Sequence, residues 1–371
     1  MNAGLCSVFA VSMPHNAFSL HTHCEHRAGK ALHSIFFKRL EPGRNRHTVP
    51  GMMMKRRKKW AEDVHVENPG RITKGVLRFA RWVVAPIVKI LYRPTLEGIE
   101  NLPEQGPFLL VGNHSAGMGI AEVLSFAVKY IEQTGNERPL AGFAIPVVFH
   151  VYPLSAVVRC LGAIPSTYKA ARKTLAMGVP ILVFPGGDHE SLRPVHQAGR
   201  VDFGGRLGFL RIARAAKVPV VPMGIRGSHL TAPVLFRSRI LAYLFVLPRF
   251  FGIKRWAITV LGLFVAGIIA AFLPLPWPAR AFLAWFWLGT PFVFLPWIPW
   301  KIRMRIGKPL SAEDLFNSSG KPSDAISGDN NGVRGEAGRD GEGNENDLRH
   351  ALHIVESAVQ ASVDKGGCSR F

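Results

Sequence analysis

His114 and Glu122, eight positions apart, are the pair in this chain best suited by type and spacing to move a proton. A histidine with its ordinary pKa near ~6.5 can take a proton from a hydroxyl at neutral pH and give it back. A carboxylate bonded to the other ring nitrogen would hold the tautomer and stabilise the charged form, as the third member of a triad does. The same residues also fit a plain turn histidine followed by a surface glutamate that complements a helix dipole. A second candidate is Phe184-Pro185-Gly186-Gly187-Asp188-His189-Glu190-Ser191. Its double glycine would let backbone amides approach a ligand closely, or would simply make a turn. Two other chemistries fit less well. His21, His23, Cys24 and His26 could ligate a metal, but no second ligand cluster lies nearby and no metal is expected. Ser115, Ser191 and Ser228 could serve an esterase or thioesterase, yet none stands in a Gly-x-Ser-x-Gly elbow.

These residues need elements to carry them. Phe108–Gly112 is an apolar run that stops at the Asn113-His114 turn, and a helical pattern begins near Ile120. His114 is therefore expected at the carboxyl end of a buried strand, with Glu122 in the first turn of the next helix. Ile181–Phe184 and Val218–Ile225 read as further strands, and Ala121–Thr134, Thr167–Met177 and Gly205–Ala216 as helices. Strands separated by helical patterns predict an α/β layer with crossover connections. The sequence IRMRIGKPL, from Ile302 to Leu310, reads as an edge strand ending in a turn.

With 371 residues, 48% of them hydrophobic, the chain can bury one large α/β domain with appendages, or two domains, and a mostly solvated disordered chain is excluded. The net charge of +21, from 46 Lys and Arg against 25 Asp and Glu, suits an anionic surface. Many Trp and Phe residues sit in apolar runs between Arg78 and Trp300 and are not interleaved with basic residues as stacking platforms would be. A phospholipid surface is therefore the expected partner, and nucleic acid is not. Cys6, Cys24, Cys160 and Cys368 are scattered without a CxxC pair, which gives no disulfide framework and is compatible with a reducing compartment.

Residues 1–60 form a basic arm whose only acids are Glu25 and Glu41. Its composition fits a transit peptide, a disordered arm or a start codon placed before Met52, Met53 or Met54. Residues 61–93 carry a basic amphipathic pattern in which Val76, Phe79, Val83, Ile87 and Ile90 share one face, with a kink expected at Pro86. That pattern fits a helix lying on a membrane surface or packed on its own domain. Residues 94–310 hold the motifs and include an apolar hairpin, 256–300, uncharged from Trp256 to Ala279 and from Ala281 to Trp300. Each half approaches the ~20 residues of a transmembrane helix, and a spanning hairpin, a re-entrant dip and a buried substrate tunnel are all compatible with it. Residues 317–347 read as a flexible linker and 348–364 as a C-terminal helix with Leu352, Val355 and Val359 on one face.

Together these blocks resemble the glycerolipid acyltransferase superfamily over roughly Leu96 to Leu310. Asn113-His114 is similar to its first block, Gly162-Ala163-Ile164-Pro165 to its second, Phe184-Pro185-Gly186-Gly187 to its third and Val218-Pro219-Val220-Val221-Pro222 to its fourth. The family acid usually stands five positions after the histidine, which here is Gly119, and the third block usually has Glu where Gly186 stands. The run Gly187 to Leu192, with Arg206-Leu207-Gly208-Phe209 behind it, looks more like the neutral-lipid branch that acylates mono- and diacylglycerol or long-chain alcohols.

The resemblance implies a mixed sheet flanked by helices, membrane-associated apolar segments, and transfer of an acyl group from acyl-CoA to a lipid hydroxyl. No bound cofactor is required. It implies His114 as general base, Glu122 as its partner, and Asn113, Gly186, Gly187 and Glu190 around the substrate. Amides near Gly186 and Gly187 would face the oxyanion, and Arg193, Arg200 and Arg206 would meet the phosphates of coenzyme A. The site is expected on the cytoplasmic face of a membrane. Acylation of lysophosphatidate or another lysophospholipid, and a non-catalytic basic membrane-binding protein, are the alternatives.

Overall fold

The computed structural model describes residues 66–114, 119–250, 255–316 and 336–365. The basic arm, the His21–His26 group, Ser115 and residues 317–335 of the expected linker lie outside them. Helix α1 (Lys74–Phe79) passes through a π-helical stretch, Ala80–Val84, into α2 (Ala85–Tyr92). The widening falls just before Pro86, which has no N–H to return to the preceding turn, so the expected kink takes this form. The chain then runs through β1 (Thr95–Glu97), β2 (Leu109–Gly112), α3 (Ile120–Thr134), β3 (Ala141–Ala144), α4 (Leu154–Cys160) and β4 (Ile164–Pro165). Next come α5 (Tyr168–Ala176), β5 (Ile181–Val183), α6 (Gly187–Ser191), α7 (Gly208–Ala216) and β6 (Val220–Arg226). An appendage of β7 (Val234–Ser238), α8 (Arg239–Leu244), α9 (Leu247–Phe250), β8 (Trp256–Thr259), α10 (Val260–Phe272) and α11 (Trp277–Leu288) follows. The chain returns through β9 (Arg303–Ile306), α12 (Ala312–Phe316) and α13 (Glu336–Lys365).

The main sheet has seven strands in the order β1-β9-β6-β2-β5-β3-β4. Strands β6, β2, β5, β3 and β4 are mutually parallel, while β9 pairs antiparallel with β6 and parallel with β1. Alternate residues serve opposite faces. Leu109, Val111, Ile181, Val183 and Val220 pack under α5, α7 and α13, whereas Leu110, Leu182, Val221 and Met223 pack under α2 and α3. Burial on both faces explains why the central strands read as unbroken apolar runs.

Three expectations change. The Ile302–Leu310 strand is not an edge: β1 covers β9, and Arg305 pairs with Glu97 across the two strands at 3.6 Å. The last helix begins at Glu336 and takes in the second part of the expected linker, and its buried Leu352, Val355 and Val359 lie on the sheet. Its backbone sits directly on Gly224 of β6, where a Cβ would collide with Ser362 and Val363. The apolar hairpin is two short helices of 13 and 12 residues preceded by strand β8, which pairs with β7 in a separate two-stranded sheet. Among the described residues no helix is long and apolar enough to cross a membrane.

The appendage wraps a small core of Val234, Ala242, Phe245, Trp256, Ile258 and Phe294. Its outer surface leaves Phe264, Phe272, Trp277 and Phe282 exposed, at 59%, 80%, 74% and 59%. Phe79, Trp82, Val83, Ile87 and Ile90 of the α1–α2 stretch are exposed as well, so the apolar face foreseen there points outward.

Candidate active site

The site forms where β2 and β6 end side by side, with Gly112 opposite Met223. Beyond β2 the main chain turns away and the Asn113 side chain continues the ladder. Its Nδ2 donates to Ile225 O at 2.9 Å, and its Oδ1 accepts from Ile225 N–H at 2.7 Å. Asn113 thus fixes the turn, with its amide bonded to β6.

His114 follows, buried, with its ring stacked on Phe184 at 5.1 Å between centroids. Nδ1 is hydrogen-bonded to Glu122 Oε1, both groups being essentially inaccessible. With the proton on Nδ1, Nε2 presents a lone pair. That atom is buried and has no hydrogen-bond partner among the described residues. Gly119 accounts for the unusual spacing of the acid: its φ is +68°, and a Cβ there would overlap the imidazole. The first turn of α3 instead brings Glu122 up to the ring.

The third block has undergone a similar displacement. A Cβ on Gly186 would overlap the carboxyl group of Glu190, which fills that space from one helical turn further along. Glu190 is fully buried, its Oε2 accepting His114 N–H at 3.0 Å and its Oε1 accepting Asp202 N–H at 3.1 Å. Burial pushes its carboxyl up to about 8, against the pull of the two N–H donors and Arg193. Glu190 therefore braces the histidine turn. The Gly187 N–H, expected to meet an oxyanion, donates to Phe184 O at 3.2 Å within the turn.

The three expected arginines separate. Arg193 is buried and donates to Arg200 O and, at 3.1 Å, to Asp202 O. Arg206 binds Asp188 and, at 3.2 Å, Pro185 O. Arg200 is exposed. Two arginines that sequence reasoning missed come from the β7–β8 ribbon: Arg237 donates to His189 O, and Arg255 Nη1 donates to His189 Nδ1 at 3.1 Å. On the other side of that ring, Nε2–H donates to Asp202 Oδ2 at 3.0 Å. Burial foremost holds His189 below the usual imidazole range. Arg237 is lowered too, by burial and then by its neighbours Arg255 and Arg193.

His229 was also missed. It lies just past β6, buried, with Nε2 lacking a partner among the described residues. Burial depresses it to about 4, with Glu122, Arg193 and His114 close enough to act on it electrostatically. A signal existed in the sequence, because Gly227-Ser228-His229 follows an apolar strand much as Gly112-Asn113-His114 does. The apolar appendage adjoins the same place: Ile120, beside Gly119, and Leu192 pack into its core. Among the described residues no group of three or more His, Cys, Asp or Glu is arranged to hold a metal ion.

Residues 93–226 match the Acyltransferase family model, the span that holds the four blocks. An uncharacterized protein of Mycobacterium tuberculosis is 31% identical over 172 residues, 45% of this chain and 48% of that protein. The DGAT1/2-independent enzyme synthesizing storage lipids of Bos taurus is 29% identical over 128 residues, 34% of this chain and 37% of that one. The chloroplastic phytyl ester synthase 2 of Arabidopsis thaliana is 28% identical over 142 residues, 36% of this chain and 19% of that one. The 1-acyl-sn-glycerophosphate acyltransferase PlsC of Thermotoga maritima superposes at a TM-score of only 0.37 with 17% identity, over 86% of this chain and 90% of that one. Residues 93–226 thus match an acyltransferase domain, and the named relatives over that span are lipid-ester-forming enzymes by their names. The chain spans about half the length of the mycobacterial relative and less of the other two relatives.

Proposed function

We propose that this protein transfers a fatty acyl group from acyl-CoA to the hydroxyl of a neutral or weakly charged lipid, such as a partial glyceride or fatty alcohol. The buried His114 carries the reading: Nδ1 is tied to Glu122, and Nε2 is free of protein partners among the described residues. Such a ring is set to take the acceptor's proton as its oxygen attacks the thioester carbonyl, and Glu122 stabilises the imidazolium that results. Burial of the pair strengthens that electrostatic support.

A neutral acceptor follows from the state of the arginines. A buried phosphate needs cations that are not already spent on the protein. Arg193 is committed to two main-chain carbonyls and Arg206 to Asp188 and Pro185 O. The names of the bovine and Arabidopsis relatives, which speak of storage lipids and phytyl esters, lend support. Lysophosphatidate is the second reading, favoured by Arg237 and Arg255 beside His189. The exposed aromatic residues of α10, α11 and the α1–α2 stretch would rest on a phospholipid surface from which the acceptor is drawn.

The experiment offers the purified protein one acyl-CoA with diacylglycerol, a long-chain alcohol and lysophosphatidate in parallel. Faster ester formation on a neutral acceptor is expected. Preference for lysophosphatidate, lost in Arg237→Gln, would establish the second reading instead.

A further inference from the structure

An acyl transfer needs a base, and it also needs a hydrogen-bond donor for the carbonyl oxygen that becomes negative in the transition state. Of the amides near Gly186 and Gly187 expected from the sequence, the Gly187 N–H is spent on Phe184 O, and the His114 amide is spent on Glu190. Yet the carboxyl ends of β2 and β6 hold three buried polar atoms without a partner among the described residues. They are His114 Nε2, Ser228 Oγ and His229 Nε2. Unpaired burial of such atoms costs stability unless a ligand completes them.

Their placement is not accidental to one loop. The Asn113 side chain bonds Ile225 on β6, so the turn carrying His114 and the turn carrying His229 leave adjacent parallel strands at the same edge. The second turn is held on several sides. Gly227 has a φ of +98°, with no room for a Cβ against Lys301 O, and Thr231 Oγ1 donates to Ser228 O at 2.7 Å. Trp297 and Ile298 both donate their N–H groups to Thr231 O, at 3.0 and 3.1 Å. A fixed donor of this kind needs no reorganisation as charge develops.

We propose that His229 is a further catalytic residue, its neutral ring donating from Nε2 to the acyl carbonyl oxygen while Ser228 completes that wall of the site. The proposal rests on the acyl-transfer reading above. In the step it serves, the acceptor oxygen bonds to the thioester carbonyl carbon and its proton passes to His114 Nε2. The carbonyl electron pair moves onto the oxygen, where His229 Nε2–H meets it. When that pair returns, the carbon–sulfur bond breaks and the thiolate leaves with the proton from His114. The products are an ester and a free thiol. Burial keeps His229 neutral near pH 7, although Glu122 pulls it the other way and Arg193 and His114 reinforce burial. It is thus a donor that does not compete with His114 for the proton.

Three variants test this in the full chain, with an acyl-CoA and a partial glyceride as substrates. His229→Ala should lower kcat by about 10²–10³, the usual cost of removing one oxyanion donor, with KM for both substrates nearly unchanged. His229→Gln keeps an N–H donor and should stay within about tenfold of wild type, and added imidazole should restore part of the His229→Ala rate. Wild-type kcat in His229→Ala overturns the proposal. So does a His229→Gln protein that unfolds at the wild-type temperature but turns over as slowly as His229→Ala, because the ring then serves packing alone. Should His229→Ala not fold, His229→Gln decides by itself. His114→Ala, run alongside, keeps the two ideas apart: its activity bears on the base, whatever His229 does.

Discussion

The seven-stranded sheet and the β7–α11 appendage spend their apolar residues in opposite ways. Leu109, Leu110, Val111, Ile181 and Val183 lie between two layers of helices and are almost wholly hidden. In the appendage, α10 and α11 keep a thin core beneath Trp256 and Phe294 and leave Phe264, Phe272, Trp277 and Phe282 in the open. Exposed apolar area on this scale marks a surface that another apolar body covers. The difference teaches that the sheet holds the His114–Glu122 pair in place while the appendage presents an apolar surface beside it. The His114 turn lies at their seam, with Ile120 on the appendage side and Phe184 on the sheet side.

That contrast can be broken most strongly from the core. Leu110→Ala should cost about 2–5 kcal/mol of stability by leaving a cavity under α2 and α3, as read from urea unfolding. The combined change Phe264→Ser, Phe272→Ser, Trp277→Ser should cost far less stability, since those side chains are largely exposed and only Phe264 makes a ring contact, with Trp297. It should lower binding to phosphatidylcholine vesicles by roughly tenfold or more, because each aromatic side chain withheld from an apolar phase forfeits transfer energy. Equal loss of stability in both variants would show that the appendage is simply part of the core.

A smaller effect sharpens the seam itself. The Glu190 carboxyl is raised from 4.5 to about 8 in the folded protein. Between those values the unfolded chain has given up a proton that the folded state still holds, so Glu190's contribution to stability falls as pH rises through that window. Glu190→Gln should flatten the decline, measured by unfolding at pH 5 and at pH 8.5. A decline of unchanged steepness would assign it to another group.

The strands β2, β5 and β6 were legible because doubly covered strands must be continuous apolar runs, and Leu109–Gly112, Ile181–Val183 and Val220–Ile225 are such runs. Strand β9 was legible as a strand but not as an interior one, because Arg303 and Arg305 look solvated until β1 is laid beside them. The β8 strand was hidden within an apolar stretch that has helical length only if Trp256–Thr259 is counted in. In the site, His114 and Glu122 could be paired from a strand–turn–helix pattern. The exchange of Glu190 into the space at Gly186 could not, since it depends on one turn of α6 folding the side chain back. Arg237 and Arg255 reach the site through tertiary folding from beyond the matched blocks, and no local spacing announces that, whereas His229 repeats the strand–turn–histidine pattern of His114.

The proposed acyl transfer depends on His114 Nε2 as the base. The direct measurement is ester formation from acyl-CoA and a partial glyceride by purified His114→Ala, with its unfolding temperature checked against wild type. Loss of a general base costs about 10²–10⁴ in rate, so a folded variant should form ester at no more than about 1% of the wild-type rate. Glu122→Gln, which disturbs the ring's orientation but keeps the base, should fall between the two. Wild-type turnover by a folded His114→Ala protein would contradict the mechanism outright.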